Sequence, residues 1–179
     1  LWGEVMSGSL NLIQKITLST PTASAVLTGI DSTYDVYTVR ISNVQPVTDN
    51  KNMIFHITKS GTADTTSNYD HAYENLKVNA SFSTSSGTNA SSASFAWSQG
   101  NGTGEKASAT LYLFNFSNAS EYSFITVDSH WLNTTPDFMG AVGGICHTVG
   151  SASDGVSFTM ESAVNINTGA EFALYGITK

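Results

Sequence analysis

Four histidines, His56, His71, His130 and His147, and one cysteine, Cys146, are the side chains in this chain best suited to acid–base or nucleophilic work. A hydrolytic triad brings a nucleophile, a base and an orienting acid together. Serines are plentiful, so chance Ser/His combinations abound, but no Gly-x-Ser-x-Gly elbow occurs. Cys146 and His147 are adjacent, and in a strand adjacent side chains point to opposite faces, which prevents direct pairing. Cys146 is therefore expected to be a small buried residue. No catalytic residue is assigned.

Metal and carbohydrate chemistry give equally open patterns. The four histidines lack the short ligand spacing of a zinc site. Asp64, Asp70 and Glu74, or Asp31, Asp35 and Asp49, offer oxygen ligands of the kind calcium takes. Acids beside Gly, Ser or Asn more often bond the turn backbone, and that is the expectation for both groups. Glycoside cleavage needs two facing carboxylates. Glu121, Asp128, Asp137 and Glu161 are present, but nothing singles out a pair. No cofactor and no metal is expected, and the chain reads as non-enzymatic. Tyr69, Tyr73, Trp97, Tyr122 and Trp131 are sugar-stacking platforms in one reading and core or subunit contacts in the other. Trp2 is a candidate anchor against a neighbour. Six Asn-x-Ser/Thr sequons, at Asn79, Asn89, Asn101, Asn115, Asn118 and Asn133, are expected by chance in so Ser/Thr-rich a sequence.

The elements that must carry these residues are strands. At 179 residues the chain suits one domain with a proper core. Charged residues are only 12%, with Ser, Thr, Gly and Asn filling the gap; these discourage long helices. A net charge of -7 on seven Lys plus Arg, none adjacent, excludes the clustered cations of a nucleic-acid site. No apolar run approaches the length of a membrane span, so membrane insertion is not expected. One cysteine leaves the fold to packing alone.

Leu1–Ser9 has no periodicity and reads as an arm before a single domain over residues 10–179. Strands are expected at Leu10–Leu18, with Leu10, Leu12 and Ile16 inward, and at Ala23–Thr28. The clearest is Tyr34–Val44, with Tyr37, Val39 and Ile41 on one face. Lys51–Lys59 puts Met53, Phe55 and Ile57 on one side, and the polar corner at Asn50-Lys51 predicts a hairpin of these two strands. Tyr69–Phe82 fits a helix or a strand and is taken as strand. Ser83–Ser94 reads as an exposed loop, and Gln99–Lys106 as a turn. Ala107–Asn115 is expected to be buried on both faces. Glu121–Leu132, a glycine-studded Phe138–Val149, then Val156–Met160 and Ala170–Ile177 complete about ten strands without a crossover helix. That pattern predicts an all-β, antiparallel two-sheet sandwich, jelly-roll-like.

Several segments form a recognisable series: Leu12, Ile13, Lys15 and Thr17, then Gly29-Ile30-Asp31-Ser32-Thr33-Tyr34-Asp35-Val36-Tyr37. Asn43-Val44-x-Pro46-x-Thr48-Asp49 and a closing Leu174-Tyr175-Gly176-Ile177 continue it. In these the chain resembles small β-rich proteins of tailed bacteriophages, especially marine ones, described as virion or tail-fibre-like. The similarity spans roughly residues 10 to 177 and is best over Gly29–Asp49 and the final strand. It implies a place on the virion surface and brings no catalytic residues. A capsid decoration protein or a head or tail fibre component is the first expectation. A receptor-binding tip or carbohydrate-binding module is the second, with Thr62–Tyr69, Ser83–Ser94 and Gln99–Lys106 as contact loops. Expected partners are copies of the chain itself as a trimer, capsid or tail proteins, and in the second case a host surface glycan.

Overall fold

A computed structural model describes residues 9–79 and 82–178. Of the expected arm only Ser9 is described; its N–H meets the Thr178 hydroxyl at 2.8 Å, beside the last strand. Trp2 lies outside the described residues. Among the described residues, thirteen strands and one 3-10 turn, Glu161–Ala163, make up the regular structure.

The strands in chain order are β1 (Leu10–Thr17), β2 (Ser24–Thr28), β3 (Val36–Val44), β4 (Lys51–Lys59), β5 (Thr62–Ala63), β6 (Tyr69–Lys77) and β7 (Ser83–Ala90). They continue as β8 (Ala93–Gln99), β9 (Ala107–Phe114), β10 (Ser123–Leu132), β11 (Phe138–His147), β12 (Gly155–Met160) and β13 (Glu171–Ile177). All pairings are antiparallel, and they build two sheets.

Within them β1 pairs β13, β2 pairs β12, β3 pairs β9 and β4 pairs β8. These nested pairs give the orders β1-β13-β3-β9 and β2-β12-β4-β8, the two four-stranded sheets of a jelly roll. The segments between β4 and β8 and between β9 and β12 add β6, β7, β10 and β11 to the first of these sheets, and the two-residue β5 to the second, beside β4. The result is an eight-stranded sheet, β1-β13-β3-β9-β10-β11-β6-β7. The all-β sandwich expected from the alternation is therefore present, enlarged on one side.

Alternation explains the core. Tyr37, Val39 and Ile41 of β3 are buried, as are Met53, Phe55 and Ile57 of β4. At the centre Phe158 touches Phe55, Phe95 and Phe172, with ring centroids 5.3–6.4 Å apart. Burying each such ring contributes about 2–3 kcal/mol.

Five expectations are corrected. First, β3 and β4 form no hairpin: β3 lies between β13 and β9, and β4 between β12 and β8. The connection crosses from sheet to sheet, with Asn50 in the left-handed region at φ 59°. Second, Ser83–Ser94 is no loop, because β7 pairs β6 along most of its length. Third, Leu10 and Leu12 point outward while Ile13 and Ile16 pack on the core, the register shifting between Leu12 and Gln14. Fourth, β9 is buried on one face only, since Tyr112 is 40% exposed. Fifth, Cys146 is half-buried and lines a surface trough rather than sitting in the core.

Candidate functional site

The small sheet covers one face of the eight-stranded sheet and leaves the other open. Paired residues in neighbouring strands point to the same face, so the register lays out that open face in rows. Leu12, Tyr175, Thr38, Tyr112, Thr126, Gly144 and Ala72 are paired in turn across β1, β13, β3, β9, β10, β11 and β6. The row on one side is Leu10, Ile177, Val36, Phe114, Phe124, Cys146 and Asp70. The row on the other is Lys15, Ala173, Arg40, Thr110, Asp128, Val142 and Glu74. Among these, Leu12 is 57% and Phe124 48% exposed.

Relief on the face follows from side-chain size. Gly144 and Ala72 leave the floor of a trough of about 670 Å³, walled by Phe124 and Thr126 of β10, Cys146 of β11, Asp70 of β6 and Ser86 and Thr88 of β7. All its lining comes from the four strands added to the large sheet. No register shift occurs between β11 and either neighbour, so its glycines thin the floor rather than making a bulge. A Cβ on Gly144 would meet the Ile125 carbonyl oxygen at 3.2 Å. Asp70 accepts the Asn89 N–H at 2.8 Å. Burial and the nearby Asp70 charge raise the Cys146 thiol, which keeps it protonated and unreactive. A second hollow, of about 340 Å³, lies over β1, β13, β3, β9 and β10, with Ala173, Ser108 and Thr110 in its lining.

Of the expected aromatics Tyr73, Trp97 and Trp131 are brought together, between the sheets. Tyr69, Tyr73 and Trp131 are buried and Trp97 is half-buried. His71, Tyr73, Trp97 and Trp131 run in a chain with centroids 5.2–5.6 Å apart. Such rings hold the two sheets together, with Tyr73 and Trp131 fully enclosed. The large rings exposed on the open face are Tyr112 and Phe124, with Phe138 toward one end, and only Tyr122 of the named aromatics is exposed. Alternation in β9 and β10 carries the signal that finds them: with Leu111, Leu113, Ile125 and Val127 inside, Tyr112 and Phe124 must lie outside.

The histidines divide. His147 is buried, stacks edge-on against Tyr69 at 5.1 Å, and sets its Nε2 3.5 Å from Asp64 Oδ2. Burial lowers its affinity for a proton despite that carboxylate, so it is neutral. His56 and His71 are lowered by burial too. Burial works to raise Asp64, but bonds from Lys59 and Thr66 outweigh it and hold the carboxyl well below the usual range. The Tyr69 hydroxyl accepts the Ile57 N–H at 3.1 Å and donates to the Asp64 carbonyl at 2.6 Å. This cluster of Lys59, Asp64, Tyr69 and His147 ties the β4–β6 connection to the core. His130 stands on the open face, apart from it. No Ser or Thr hydroxyl bonds a histidine ring among the described residues.

Asp31, Asp49 and Asp64 act as turn residues, whereas Asp70 and Glu74, expected to do the same, lie within strand β6. Asp31 accepts the Thr33 N–H at 2.8 Å and the Tyr37 hydroxyl at 3.1 Å. Asp49 accepts the Asn101 N–H at 3.1 Å, and Asp64 the Thr66 N–H at 3.0 Å. Among the described residues no three His, Cys, Asp or Glu side chains cluster as metal ligands. No described helix is long and apolar enough to cross a membrane.

No protein-family model matches the chain, and no curated protein matches it. Among solved structures it is similar to the CBM2 module of the evolved Dit of Lactobacillus casei BL23 phage J-1. The identity is 8% and the TM-score 0.24, over 97% of this chain and 82% of that one. That likeness is too loose to fix the fold, which rests on the strand pairings themselves.

Proposed function

We propose that this chain is a non-enzymatic structural protein displayed on the surface of a tailed-phage particle, as a capsid decoration protein or a head or tail fibre component. The observation that carries this is the open face of the eight-stranded sheet. A soluble domain that works alone covers or polarises such a face; this one exposes Leu12, Tyr112, Phe124 and Val142 there, on a rigid scaffold. The sequence resemblance over Gly29–Asp49 and the closing strand supports a place on the particle. Jelly rolls serve capsids and lectins alike, so the fold is compatible with the assignment without deciding it. Gold-labelled antibody against the chain, applied to purified phage particles, tests it. Label on heads or tails is expected, and particles that carry none would refute the proposal.

The trough favours a second reading, a carbohydrate-binding module for host attachment. It has the size of a ligand pocket, an exposed ring in Phe124, and hydroxyls on Thr126, Ser86 and Thr88 at its margin. A glycan array probed with the wild-type chain and with Phe124→Ala tests this. Binding that the substitution abolishes supports it, and an array with no signal above background removes it.

A further inference from the structure

We infer that the open face is a self-complementary interface, and that a second copy of this chain packs on it about a two-fold axis running along β9. The inference rests on reading the open face as a contact surface, and it holds or fails independently of where the protein resides.

Charge order is the first argument. In the row Lys15–Ala173–Arg40–Thr110–Asp128–Val142–Glu74, Thr110 of β9 sits at the centre. Cations stand one and three strands to one side, and carboxylates one and three strands to the other. A two-fold axis lying in the interface along β9 reverses each row onto itself. Arg40 then faces the second copy's Asp128, and Lys15 faces its Glu74, each pair occurring twice. Within the chain Arg40, Asp128 and Glu74 make no ion pair among the described residues. Lys15 pairs with Glu171 at 3.2 Å, so three of the four charges are left for an outside partner, in an order that its own reverse complements.

Shape gives the same operator independently. Reversal of the row through Tyr112 sets Leu12 and Tyr175 over Ala72 and Gly144, which floor the trough. It also sets Val142, 39% exposed, over Ala173 in the second hollow. The bulky residues lie in the roll and the trough in the added strands, so each half of the face fits the other half of its copy. A two-fold axis along a strand also turns a twisted sheet into one of the same hand lying parallel to it, so the saddles nest. Leu10 and Asp70 meet only at the rim, where the carboxylate keeps its Asn89 bond.

The size suffices. Seven strands by three rows cover about 700 Å² per copy, close to the ~800 Å² per partner of a stable specific interface. The arrangement is a two-fold pair, not the trimer expected from the sequence.

Sedimentation equilibrium of the wild-type chain, Arg40→Glu, Asp128→Arg and the combined variant tests this. The wild type is expected at twice the 19.0 kDa chain mass. Each single change should weaken association roughly a hundredfold or more, through two like-charge contacts per dimer. The combined variant restores opposite charges and should return to a dimer. Circular dichroism checks that each variant is folded. A monomeric or trimeric wild type, single variants that dimerise like wild type, or a combined variant that stays monomeric would each overturn the inference. A monomer that binds a glycan in the trough would assign that surface to the sugar. Labelled particles with a monomeric chain would sink the dimer alone, and unlabelled particles with a dimeric chain would sink the virion assignment alone.

Discussion

The indole Nε1 of Trp131, in the large sheet, donates to the backbone carbonyl of Trp97, in the small sheet, at 2.7 Å. Two residues earlier on the same strand, the Ser129 hydroxyl donates to the Phe95 carbonyl at 2.6 Å. Strand β8 needs these bonds, because its ladder to β4 is interrupted by two register shifts. Side chains from the opposite sheet satisfy carbonyls that a regular ladder partner would otherwise take.

Trp131→Phe therefore removes a donor and leaves the Trp97 carbonyl without it in a nearly dry site. We expect a loss of about 2–4 kcal/mol in chemical denaturation, from the orphaned carbonyl and the smaller ring together. Ser129→Ala, which deletes only the hydroxyl, should cost about 1–2 kcal/mol. Equal losses for the two would show that the hydrogen bonds, and not the indole volume, dominate.

Tyr69→Phe isolates a different bridge. Its hydroxyl is the acceptor for the Ile57 N–H and a donor to the Asp64 carbonyl, so removal orphans one group of each kind. The ring and its packing on His147 stay. The expected destabilisation is about 1–3 kcal/mol, and amide exchange should quicken most at Ile57. Uniform quickening across the chain would mean the bridge has no local role.

Acid sensitivity should begin with histidines. His147, His56 and His71 are all lowered by burial, so the folded chain takes up protons less readily than the unfolded one. Their contribution is complete above about pH 6.5 and is lost as pH falls below it, at up to about 1.4 kcal/mol per unit for each group. The carboxyls held low, Asp64 foremost, have the same dependence in a lower window and weaken the fold only as pH falls below about 4. Melting temperatures should thus be level from pH 7 to 8 and decline between 6.5 and 4. His147→Gln should flatten that decline; an unchanged slope would place the proton uptake on other groups.

Strand positions were legible because alternation reports which face is buried. Tyr37, Val39 and Ile41 against Arg40 and Ser42 could be read directly. Alternation does not report whether two successive strands meet edge to edge or face to face. That is why β3 and β4, with complementary apolar faces, looked like a hairpin although they belong to opposite sheets. Strand β7 was hidden for another reason. As an edge strand with only one paired neighbour, Ser-Thr-Ser-Ser-Gly-Thr-Asn-Ala needs no apolar face, and its polar character blunts edge-to-edge aggregation. The large aromatics were identified as a group, but their depth was not. Tyr73 and Trp131 resemble platforms in sequence because Tyr and Trp carry a polar atom wherever they sit, and only the fold shows Trp131 spending its N–H inside.

Leu12 separates the needs of the fold from those of the open face. At 57% exposure it adds little to its own chain's core, in contrast to its near neighbour Ile13, which packs on it. Leu12→Glu should leave the denaturation midpoint of the monomeric chain within about 0.5 kcal/mol of wild type, as for other surface changes. Self-association, however, should fall sharply, because the new carboxylate would lie over the apolar trough floor at Ala72 of the second copy. Ile13→Ala should reverse the pattern, costing about 2–4 kcal/mol in folding while leaving the face intact. Paired denaturation and sedimentation measurements on both variants read the two effects separately. A Leu12→Glu chain that is destabilised as much as Ile13→Ala would make Leu12 a core residue, and the open face would lose its most exposed apolar contact.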